Sequence, residues 1–213
     1  MHIYAFGSVC RGEVDASSDI DMLAIVNGRD DRFNPSDYSI YSYERIRELW
    51  EQGNPFAWHL FLESKLVYSP DSADHLRNIG EPNTYTSGLT DCEKFHEIFL
   101  TAKESIDSSE LTEIFDLSSV FLGIRNFATC YSLHCDMKPD FSRNSARNLG
   151  EHSIPIDDST YNLLERARVL CTRGVGELLS TSEVSKAKVA LGQIDSWMIE
   201  ILSTIKRDSY ERI

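Results

Sequence analysis

The spacing of apolar positions changes near residue 80. Before it, short runs at His2–Phe6 and Ile20–Val26 read as strands, the second almost wholly apolar and therefore central in a sheet. Asn27-Gly28 marks a turn, and the charged stretch 29–34 a loop. Asp37–Ser42 reads as a third strand, Tyr43–Gln52 as a helix stopped by Gly53, and Asn54-Pro55 as the start of another helix through Ser64. That helix would turn Phe56, Trp58 and Leu60 inward, and Lys65–Tyr68 would add an edge strand. After a Pro-, Asn-, Thr- and Ser-rich stretch at 80–88 the period becomes helical. Phe95, Ile98, Phe99, Ala102 and Ile106 share one face; Leu111, Ile114, Phe115, Phe121, Leu122 and Ala128 share another. Residues 157–172 make a third helix, started by the capping residues Asp157, Asp158 and Ser159 and ended near Gly174, and Ala187–Ile205 a fourth. The pattern predicts an α+β chain: a mixed sheet with flanking helices over 1–80, then an all-α bundle of four main helices over 88–213.

Composition narrows the function. Hydrophobic residues make up 41% of the 213 positions, enough for a buried core and against a disordered chain. No apolar run approaches the ~20 residues that cross a bilayer, and no secretory signal opens the chain, so no membrane partner is expected. The five cysteines, Cys10, Cys92, Cys130, Cys135 and Cys171, form no CxxC pair and read as reduced thiols in the cytoplasm. A net charge of −13 with no basic stripe argues against a partner as long as a nucleic-acid duplex, because phosphate contacts supply most of that affinity.

The candidate chemistry lies in the first loop. Gly7-Ser8 follows the first strand, and Asp19-Ile20-Asp21 opens the second. Acids two apart on a strand point to one face, and their repulsion is relieved by a hard cation such as Mg²⁺ or Mn²⁺. A Gly-Ser turn offers backbone N–H groups and a hydroxyl to a phosphate. A phosphate cradle beside a paired carboxylate is equipment for nucleotidyl transfer.

Gly7-Ser8, Arg11-Gly12, Ser18-Asp19-Ile20-Asp21 and the apolar strand after them resemble the signature of the DNA polymerase beta superfamily, and in particular its minimal nucleotidyltransferases, over about residues 1–70. The resemblance implies transfer of a nucleoside monophosphate from an NTP, with ATP the expected one, to a hydroxyl of a small molecule or protein. Asp19 and Asp21 would be catalytic metal ligands. Gly7, Ser8 and Arg11 would hold phosphates, with Ser18 shaping the loop among the nucleotide-binding residues. A third carboxylate is expected on the next strand; Asp37 fills that place as metal ligand and base, with Glu44 and Glu63 as reserves that look like ordinary exposed acids. The acceptor would lie in a cleft between sheet and bundle, and an acidic cleft favours a cationic small molecule. Relatives often carry a helix before the first strand; here the bundle, or a second copy in a homodimer, would cover that sheet face. In the helical half, Arg125 on an apolar face calls for an acidic partner or a phosphate, and Glu165, Arg166, Arg168 and Arg173 read as a solvated face with one interdomain salt bridge. Arg147 and His152 have the Arg-x4-His form of HEPN ribonucleases, so the bundle is HEPN-like in architecture. The competing reading is a weakly active or inactive, antitoxin-like protein that binds a nucleotide or a partner.

Overall fold

The computed structural model describes residues 1–13, 20–108, 111–135 and 137–211. The chain divides into two compact units, Met1–Thr86 and Ser87–Ile213. The first is α+β and the second helical.

In the N-terminal unit the strands are β1 (His2–Phe6), β2 (Asp21–Val26), β3 (Ser39–Ser42) and β4 (Ser64–Tyr68), in the order β3-β2-β1-β4. β1 pairs antiparallel with β2 and β4, whereas β3 lies parallel to β2, so the sheet is mixed and β2 is central. A four-residue helix, α1 (Ser8–Arg11), follows β1 directly. Helices α2 (Tyr43–Glu51), α3 (Pro55–Glu63) and α4 (His75–Ile79) cover one sheet face. Each is started by a side chain that accepts from its first turn: Ser42, Asn54 and Asp74. The period-2 alternation puts Tyr4, Phe6, Leu23 and Ile25 under these helices, against Ile46, Leu49, Trp50, Ala57, Leu60 and Leu76. On the opposite face Phe33, from the β2–β3 connection, packs on Ala24 and Val26, with Met1, Ile3, Tyr38 and Ile40 around it. The β2–β3 connection thus covers the sheet face opposite the three helices.

Strand β3 begins at Ser39, two residues later than its apolar pattern suggests. The Asn34-Pro35 step starts a turn instead: the Asn34 carbonyl accepts from the amides of Asp37 and Tyr38, and its side chain accepts from Ser36 N–H.

The second unit is built on α5 (Gly88–Ser108), α6 (Glu113–His134), α7 (Asp158–Arg173) and α8 (Thr181–Glu211). The sequence pattern suggests that α6 buries one stripe that includes Leu111 and Phe115. Those two are 97% and 62% exposed. Leu111 precedes the helix, and the buried set, from Leu117 through Val120, Phe121, Ile124 and Phe127 to Leu133, runs nearly all round it. An apolar helix with neighbours on several sides has no single face to read. No described helix is long and apolar enough to cross a membrane.

Candidate nucleotide and metal site

Antiparallel pairing sets Phe6 opposite Asp21, so the turn that leaves β1 lies against the first residue of β2. Gly7 takes φ +76°, a left-handed conformation that side-chain-bearing residues seldom adopt. A Cβ at that position would stand 2.6 Å from Asp21 Oδ2. Glycine is required there twice over, once by the backbone and once by the carboxylate beside it. Gly7 is also the N-cap of α1 and carries no capping side chain; its carbonyl accepts from Cys10 N–H, and Gly12 closes the turn.

By strand parity Asp21 shares a face with Leu23 and Ile25, but it stands exposed at the sheet's end. Parallel pairing brings the start of β3 to the same end, with Ser39 opposite Leu23. Pairing of β1 with β4 brings Ser64 there too, opposite Phe6. Gly7, Ser8, Arg11, Asp21, Ser39 and Glu63 therefore gather at one end of the sheet. Asp37 stands two residues before Ser39, in the Asn34 turn, exposed and accepting a hydrogen bond from Ser36 Oγ. Strand β3 itself, Ser39-Ile40-Tyr41-Ser42, contributes no carboxylate. Asp19 and Ser18 lie outside the described residues. Among the described residues no group of three or more His, Cys, Asp or Glu side chains is arranged to hold a metal ion.

Arg11 is already engaged. Its Nε donates to Glu13 at 2.8 Å, and its Nη1 donates to Glu63. His59 Nε2 lies 3.0 Å from the same Glu63 carboxylate. Burial acts to raise the Glu63 carboxyl's affinity for a proton, but His59 and Arg11 outweigh it and hold the group below its usual range. Burial acts to weaken the proton on Arg11, yet Glu13 and Glu63 more than offset it. Glu63 is thus not an ordinary exposed acid: its side chain is only 14% exposed. One signal for this was legible in the sequence, since His59 and Glu63 sit four apart on a helix. Glu44, by contrast, is exposed in the first turn of α2. Cys10 Sγ donates to Ala5 O, and burial pushes its thiol up, which leaves it a poor nucleophile.

A second cluster has no counterpart in any local motif. His2 Nδ1 lies 2.6 Å from Tyr43 Oη, and the His2 and His75 rings are 5.4 Å apart. The two histidines are 73 positions apart, so only the fold brings them together.

In the bundle, Arg125 donates to the main-chain carbonyls of Phe141 and Ser142, tying down the segment after α6. Arg147 donates to Asp158 O and to Asn162 Oδ1, and its guanidinium lies over the Tyr161 ring at 4.0 Å. Arg147 and His152 belong to two separate 3₁₀ turns, with Asn148 and Leu149 between them, not to one helix. On α7, Glu165 pairs with Arg143, Arg166 with Glu183, and Arg168 donates to Ser118 Oγ, all inside the bundle.

Residues 2–79 match the family model described as nucleotidyltransferase domain, a span that runs from the first residue of β1 to the last of α4. No curated protein matches the chain. The match thus spans the whole mixed sheet and its three covering helices, supports nucleotidyl transfer in general terms, and does not reach the helical unit.

Proposed function

We propose that the domain of residues 2–79 transfers a nucleoside monophosphate from an NTP, with ATP the expected donor, to a hydroxyl of a small molecule or protein. The observation that carries this reading is the apposition of Gly7 and Asp21, where one added methyl would meet a carboxylate oxygen. A glycine at that approach leaves room for a phosphate and a cation, and Asp21 supplies a hard oxygen. Asp21, joined by Asp19 from the preceding loop, would hold Mg²⁺ or Mn²⁺. When bound, that ion would offset the charge of the triphosphate and of the departing pyrophosphate. Gly7 and Ser8 would orient the β- and γ-phosphates through the opening amides of α1 and the Ser8 hydroxyl. Ser18 would shape the loop around them. Arg11 would add a charge-assisted contact by exchanging one of its carboxylates for phosphate. Asp37 would take the proton of the acceptor hydroxyl as its oxygen attacks the α-phosphorus.

A second reading has its own support. The ladder puts Ser39, not an acid, on the Asp21 face of β3, and two carboxylates already hold Arg11. Those features favour a weakly active or inactive protein that binds the nucleotide or a partner. Within the HEPN-like bundle proposed for the second unit, the engagement of Arg147 by Asp158, Asn162 and Tyr161 speaks for a structural role, not nuclease chemistry. The five free thiols suit a reducing cytoplasm.

Incubation with ATP labelled at the α-phosphate, Mg²⁺ and panels of hydroxyl acceptors separates the two. Label on an acceptor, lost in Asp21→Asn and Asp37→Ala, is the expected result. Tight Mg²⁺-dependent ATP binding without label on any acceptor would leave the second reading as the function.

A further inference from the structure

Away from the sheet, the seam between α5 and α6 contains a groove of about 470 Å³. Its lining includes Asp116, a carboxylate in a residue only 3% exposed. Asp116 Oδ2 accepts from Ser105 Oγ at 2.9 Å, and among the described residues no cation is paired with it. The start of α6 places partial positive charge nearby, which eases the burial without neutralising it. A carboxylate this deep is costly unless a cation reaches it.

The hydroxyls of the groove share one property. Ser105 gives its hydroxyl proton to Asp116, Ser119 gives its proton to Phe115 O at 3.0 Å, and Thr101 gives its proton to Glu97 O at 2.9 Å. Each hydroxyl has spent its donor inside the protein and retains lone pairs for a visitor. Asp116 and these three hydroxyls therefore present acceptors to the groove, as does the Glu97 carboxylate, beside the single lining cation Lys94. Ile98, Ala102 and the exposed ring of Phe115 supply apolar wall around it. Lys94, also in the lining, has its ammonium over the Phe95 ring, 5.9 Å from the ring centre.

We propose that this groove is a binding site for a small hydrophobic amine, its ammonium on Asp116 and its apolar body along Ile98, Ala102 and Phe115. An ammonium brings three donors and no acceptor, the complement of these acceptors, and the Phe115 face adds cation–π attraction. The site lies in the second unit and does not depend on the nucleotidyl-transfer reading.

The test uses the full chain and three probes of nearly one shape: phenethylammonium, 2-phenylethanol and 3-phenylpropionate. Binding is followed by saturation-transfer NMR and by methyl shifts of Ile98 and Ala102. The ammonium is expected to bind saturably, about ten-fold or more tighter than the alcohol, and the carboxylate not at all. Asp116→Asn is expected to abolish the preference for ammonium over alcohol. Should that variant fail to fold, Ser119→Leu fills the groove with Asp116 intact and is expected to abolish binding of every probe. Equal affinity for ammonium and alcohol overturns the proposal, as does the absence of saturable ammonium binding, or binding that survives both substitutions.

Discussion

Replacing the Gly7 hydrogen by a methyl would both strain a backbone at φ +76° and push against Asp21 Oδ2. The strain costs roughly 1–2 kcal/mol for an L-residue in that region, and the displaced carboxylate adds to it. Gly7→Ala is therefore expected to weaken Mg²⁺-ATP binding ten-fold or more while leaving the helical far-UV signal intact; calorimetry on the folded variant measures it. Arg11 yields a prediction of the opposite sign. Glu13 is the more exposed of its two carboxylate partners, so Glu13→Gln loosens the guanidinium at small structural cost. If Arg11 meets phosphate, nucleotide affinity rises a few-fold in that variant; an unchanged affinity removes Arg11 from the site. The Gly7-Ser8 turn and the start of β2 at Asp21 were legible because a turn and a strand fix them locally. The pairing of Arg11 with Glu63 was not, since Arg11 reaches it across 52 positions of chain.

At the level of elements, helix starts were the most legible feature, because Ser42, Asn54 and Asp157 carry their capping chemistry in their own side chains. The start of β3 was less so: Ile40 and Tyr41 suit a strand, but the Asn34 turn takes the two residues after Ser36 out of the ladder. Helix α6 was misread because nearly every side of it is buried. Its closeness to α5 can be tested at Gly123, where a Cβ would lie 3.1 Å from Phe95 O and 3.4 Å from Phe99 Cβ. Gly123→Leu must part the two helices and is expected to cost about 1–3 kcal/mol or more in urea unfolding. Loss below 0.5 kcal/mol would mean that α5 and α6 are not so tightly apposed.

For the molecule as a whole, acidity sets two expectations. With a net charge of −13 the chain should not retain long single- or double-stranded DNA in a gel-shift assay even at low salt. Acid should also destabilise the N-terminal unit. Burial holds the His75 imidazole below its ordinary value; His2 and Arg47 add to the effect, and Asp74 opposes it. The unfolded chain, with a histidine pKa of about 6.5, then binds the proton better than the folded one. Stability is full above that value and declines as pH falls below it. Glu63, held below its usual range, adds a further loss at lower pH as its carboxylate is protonated. In a Trp197→Phe background, where Trp50 and Trp58 report on this unit, Tm should drop between pH 7 and pH 5.5. His75→Gln should flatten that drop.

The sequence by itself determined most of the strands and helices, the cap at Asn54 and the Gly7-Ser8 turn, because each rests on interactions within a few residues. Only the tertiary structure decided which of them meet. Strand pairing set Phe6 opposite Asp21, and so put the Gly7 turn against a carboxylate. The β2–β3 ladder placed Ser39, not Asp37, in register beside β2, and packing between α5 and α6 buried Asp116 with no cation paired to it among the described residues. Pairing and burial depend on contacts between distant segments, where a local pattern carries no information about its partner.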